Sequence, residues 1–125
     1  MKRTWIAVAS AVALPFAALA HELPKGANGG PVVDSSGHHV EMVAKGADLM
    51  LFLTDETDKP LAAAGAKNAR AIIQDGGKTA AVPLQPAEPN KLVGRLSQPL
   101  GKGARVVVLA TLADGHAVQA RFVND

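Results

Sequence analysis

Four histidines stand out in a chain of 125 residues that has no cysteine. They are His21, His38, His39 and His116. Without thiolates, a metal site here must use imidazole, carboxylate, thioether or backbone groups. His38-His39-Val40-Glu41-Met42 sits in a stretch that reads as a strand. On a strand, residues two apart share a face. His39 and Glu41 would then lie side by side, with Cβ atoms roughly 6.5–7 Å apart at about 3.3 Å of rise per residue. An imidazole and a carboxylate at that spacing can reach one ion. His38 falls on the Val40 face, at the strand's mouth. The plain alternative is a polar outer face with Glu41 paired to a Lys or Arg. Met42 and Met50 sit among aliphatics at strand spacing and read as core rather than as ligands. His116 follows a turn and becomes an extra ligand only where its hairpin end meets the leader.

His21 owes its interest to what precedes it. Met1-Lys2-Arg3 is a short positive segment, residues 5–20 are apolar and Ala-rich, and Ala18-Leu19-Ala20 is a small-x-small ending. These three parts make a secretory signal, with cleavage expected after Ala20. The apolar run is short and Ala-rich for a membrane span, which needs about 20 strongly apolar residues. An uncleaved anchor is the alternative. Cleavage after Ala20 would give His21 a free α-amine beside its imidazole. The two nitrogens close a chelate ring on one ion, and with reference pKa values of about 8 and about 6.5 both shed protons near neutrality. Such donors favour Cu(II) over Zn(II), Ni(II) or Co(II). The plain alternative is a tolerated residue after a cleavage site.

Lys2 and Arg3 leave with the signal, so 13 basic residues become 11, against 11 acidic. The pI of 9.2 therefore overstates how basic the working protein is. A neutral surface without a Lys/Arg run argues against nucleic acid. Aromatics make up 3% of the chain and tyrosine is absent, which leaves little for base stacking.

Elements must position these side chains. Residues 21–31 read as a flexible leader rich in Gly, Pro and Asn. Beyond it come short β-type runs: 32–33, 38–44, 48–55, 69–74, 78–84, 92–96, 104–112 and 116–123. Residues 48–55 are apolar on both parities, which suits a central strand. Asp34-Ser35-Ser36-Gly37, Asp75-Gly76-Gly77 and Asp114-Gly115 are turn signals. Residues 61–66 read as a short helical turn or loop, and the Pro-rich residues 85–90 as a loop. In the last run, Val118, Ala120 and Phe122 fall on one face. About seven strands at this spacing predict an all-β domain over 32–125: a small antiparallel, immunoglobulin-like β-sandwich.

No Gly-rich phosphate loop, His-Glu-x-x-His helix or nucleophile elbow is visible, so the reading is of a binder rather than an enzyme. Gly29-Gly30 reads as a plain turn rather than an anion nest. Asp55, Glu56 and Asp58 lack the spacing of a calcium loop and read as a solvated turn.

Several of these residues together carry a resemblance. They are Asn28-Gly29-Gly30 after a leading His, Gly37-His38-His39-Val40-Glu41-Met42, an apolar strand ending in Thr54-Asp55, Lys59-Pro60, and the hairpin from Asp114-Gly115-His116 to Arg121-Phe122. The chain resembles small exported bacterial proteins similar to the N-terminal β-domain of heavy-metal efflux adaptor subunits. It has a looser likeness to periplasmic copper-resistance proteins, although it lacks their Met-rich loop. The resemblance implies a sandwich fold and metal handling in the periplasm, with His21, His38, His39 and Glu41 as the matching positions. It implies an efflux complex as partner, but the hairpin and lipoyl segments of a full adaptor are missing. The expected function is binding or buffering of a divalent metal. The alternative is a metal-free module that docks on an envelope complex through a strand edge or the leader.

Overall fold

The computed structural model describes residues 24–125. The segment expected to be a signal, its expected cleavage point and His21 lie outside them. Among the described residues nine strands form two antiparallel sheets. One sheet contains β1 (Val32–Ser35), β2 (His38–Lys45), β3 (Asp48–Thr54), β7 (Lys91–Arg95) and β6 (Gln85–Ala87), in that order. The other runs β5 (Lys78–Pro83), β4 (Lys67–Asp75), β8 (Arg105–Thr111) and β9 (Ala117–Val123). Among the described residues no helix is long and apolar enough to cross a membrane.

Alternation decides which side chains meet between the sheets. Val40 and Met42 on β2 point inward with Leu49, Leu51 and Leu53 on β3. Val106, Val108 and Ala110 on β8 face them with Val118, Ala120 and Phe122 on β9. The expected inward face of the last strand is therefore the observed one. Burying such a side chain contributes about 1.5–3 kcal/mol. Met42 is core, as its spacing predicts. Met50 is not: it is half-buried on the outer face of its sheet, opposite Val43 and Val93.

Turn chemistry sets the register. Ser36 and Gly37, both at positive φ, join β1 to β2, and Gly76 and Gly77 do the same for β4 and β5. Such two-residue turns match the natural twist of a hairpin. Nine strands appear rather than about seven because β1 is only four residues long and β6 only three. Pro86 disguises β6 in the sequence. A proline lacks the N–H a central strand needs, but β6 is an edge strand, where that loss is harmless. Residues 61–66 form no helix.

At one margin the two sheets are tied directly. Ser35 on β1 is buried, and its hydroxyl accepts a hydrogen bond from the Gln119 amide on β9 at 3.0 Å. The histidines lie just beyond this tie.

Candidate functional site

β2 presents its two histidines to opposite sides. His38 lies on the inward parity, at the turn that joins β1 and β2. The turn between β8 and β9 brings His116 against it from the other sheet, with ring centroids 5.2 Å apart in an edge-to-face arrangement. The hairpin end that carries His116 thus meets the β1–β2 turn rather than the leader.

Each ring has a distinct environment. The side chain of His116 is 63% exposed, and Asp114 holds its orientation. One carboxylate oxygen of Asp114 accepts the His116 backbone amide at 2.9 Å, and the other lies 2.8 Å from Nδ1. These contacts, the backbone one foremost, hold the Asp114 carboxyl below its usual range; the charges of His116 and His38 add to the effect. A carboxylate on Nδ1 fixes the tautomer and leaves Nε2 as the free donor atom. Nδ1 of His38 is buried and has no hydrogen-bond partner.

His39 faces outward with Glu41, as their spacing predicts, and both line a cleft of about 490 Å³. Val32, Phe52 and Pro60 give this cleft apolar walls, and Pro24 and Asn28 close it from the leader side. Nδ1 of His39 lies 3.2 Å from an oxygen of Asp58. Asp58 belongs to a loop shaped by Asp55, whose Oδ1 accepts the amides of Thr57 and Lys59 and the Thr57 hydroxyl. These bonds, the Thr57 hydroxyl first, lower the Asp55 pKa. The solvated turn expected here is observed, and it places the Asp58 carboxylate beside His39.

Glu41 has a different occupation. It is 6% exposed, and its carboxylate accepts the Gly30 amide at 2.7 Å, the Asn28 amide at 3.0 Å and the Asn28 side-chain amide at 3.1 Å. Asn28 and Gly30 do form a nest, and Glu41 fills it. The approach requires glycine. A Cβ on Gly26 would lie 2.3 Å from the Glu41 carboxyl carbon, and one on Gly30 would lie 2.0 Å from the Met42 carbonyl oxygen. Residues 26–30, read from sequence as flexible, are strapped across the outer face of β2. Glu41 holds that strap and has little left to offer an ion.

The candidate residues thus divide into a pair, His38 with His116, a carboxylate-oriented His39, and a structural Glu41. Asp58 and Asp114 read from the sequence only as turn residues, not as partners of histidines. Asp114 was findable, since it lies two residues before His116 in a turn. Asp58 carries no local signal, being 19 positions from His39. Among the described residues no three His, Asp or Glu side chains gather with the geometry to hold a metal ion.

No family model matches this chain, and comparison with curated proteins and with solved structures returns no match.

Proposed function

We propose that this domain reversibly binds a divalent heavy metal ion in the periplasm, as a module of metal homeostasis or efflux. The observation that carries the reading is that two histidines, His39 and His116, each have Nδ1 against a carboxylate at 3.2 and 2.8 Å. That pairing orients an imidazole as a ligand. A third histidine, His38, adjoins one of them.

His21 adds to this set through chain connectivity. Three residues on, Pro24 lines the cleft that holds His39. Processing after Ala20 would give His21 an amine beside its imidazole, a nitrogen set that suits Cu(II) ahead of Zn(II), Ni(II) or Co(II).

Isothermal titration with Cu(II) tests the reading. The exported protein should take up about one equivalent at micromolar concentration. Uptake should weaken when the processed N-terminus is extended by one residue, and weaken further when His38, His39 and His116 are all changed to Ala. Absence of uptake at micromolar Cu(II) would leave the alternative, a metal-free docking module, in its place.

A further inference from the structure

The outward faces of the two sheets carry their charges differently. On the β1-β2-β3-β7-β6 sheet, base meets acid: Arg95 pairs with Asp48 at 2.9 Å, and the leader strap crosses β2. On the β5-β4-β8-β9 sheet the outward charges are all of one sign. Arg70 stands opposite Leu109, Arg105 opposite Gln74, and Arg121 opposite Val107. Ile72 lies between them, also opposite Val107. Asp75, the one acid in these four strands, falls on the inward parity of Ile73 and accepts the Gly101 amide at 2.9 Å. Across the margin Asp34 shares a groove with Arg121 without pairing to it. Among the described residues, none of the three arginines has an ion-pair partner.

Cross-strand pairs of opposite charge stabilise a sheet, so an exposed ladder ordinarily mixes signs. This one leaves three exposed guanidiniums around half-buried Ile72, Val107 and Leu109. Val123 joins the same face at 57% exposure, the one exposed large apolar side chain among the described residues. Arginine and apolar groups without Lys, Asp or Glu are the composition of a protein interface rather than of a solvated surface. We infer that this face docks an acidic stretch of another polypeptide, with carboxylates on Arg70, Arg105 and Arg121 and an apolar side chain between them. A guanidinium holds a carboxylate through two parallel N–H donors, which sets direction as well as charge. The patch is roughly 15–20 Å on a side, from about 4.8 Å between strands and about 3.3 Å per residue. That footprint suits a transient contact. An anionic membrane is a poorer match, since lipid-binding clusters gather about 4–8 basic residues. No aromatic ring is present on these strands' outward face to stack a nucleic-acid base. No histidine is among these outward residues, so docking here does not depend on the metal-binding reading, and a chelator should leave it unchanged.

Protein purified from expression of the full 125-residue chain is titrated into fluorescently labelled poly-L-glutamate and into a random glutamate–tyrosine copolymer. Anisotropy should report binding of both, tighter for the copolymer, and weakened as salt screens the charges. Arg70→Gln, Arg105→Gln and Arg121→Gln should each weaken it about two- to fivefold, as exposed ion pairs do. Lys45→Gln and Lys91→Gln, on the other sheet, should leave it unchanged. Val123→Ser should weaken binding of the copolymer but not of polyglutamate. Absence of binding to either polymer overturns the proposal, as does a loss shared equally by the lysine variants. Vesicles of phosphatidylglycerol bound as tightly through the same arginines would replace the polypeptide by a lipid surface. Self-association in sedimentation, abolished by the triple arginine variant, would replace it by a second copy of this chain.

Discussion

At Glu41, a carboxylate is nearly removed from water and accepts three N–H groups from the leader strap. Hydrogen bonds to a charged group contribute more than neutral ones, and the orphaned amides would be partly buried. Glu41→Ala should therefore cost about 2–3 kcal/mol, read as a lower urea midpoint. It should also speed proteolysis within residues 24–31. Gly30 offers a test of the same contact from the other side. Its missing Cβ is what lets the strap touch the Met42 carbonyl. Gly30→Ala should loosen the strap at least as much as Glu41→Ala does. Gly29→Ala is the control: a Cβ there meets nothing, although φ is +83°. It should cost only about 1–2 kcal/mol, from the left-handed backbone alone. Equal protease sensitivity in the two alanine variants would show that the Gly30 contact is not what secures the strap.

Elements show where local chemistry sets structure. The 55–60 loop depends on one Asp55 oxygen that accepts three hydrogen bonds. Asp55→Ala should lower the melting temperature and detach Asp58 from His39. The sign of the pH effect follows from the lowered pKa of Asp55. A group more acidic in the folded state adds stability above its ordinary value of 3.8, and loses it as pH falls through the lower folded value. The melting difference between wild type and Asp55→Ala should thus be full at neutral pH and vanish in strong acid. On β4, Asn68 has φ +54° where the pairing with β8 skips between Lys67 and Arg70. Asn68→Gly should be near neutral, whereas Asn68→Val should cost about 1–2 kcal/mol in chemical denaturation. These positions also mark what the sequence could tell. Alternation and Gly-containing turns are local, so most strands and the turns at 34–37, 75–77 and 114–115 were legible. β6 was hidden by Pro86. The bulge at Asn68, the strap on Glu41 and the partnership of His39 with Asp58 were hidden for one reason: each depends on residues brought together only by the fold.

At the scale of the molecule, residues 24–125 form two sheets closed by a shared core, and among these residues a hydrogen bond from the Gln119 amide to the Ser35 hydroxyl ties the sheets directly at one margin. Ser35→Ala would leave the Gln119 amide without its partner at this margin, and a buried group left unpaired costs about 1–3 kcal/mol. For a domain near 100 residues each kcal/mol shifts the melting temperature by roughly 4–8 °C. Ser35→Ala should then lower the midpoint by about 4 °C or more. Gln119→Ala keeps the backbone amide and removes only an exposed side chain, so it should barely move it. Equal loss in the two variants would show that the sheets are joined by their core and not by the Ser35 tie.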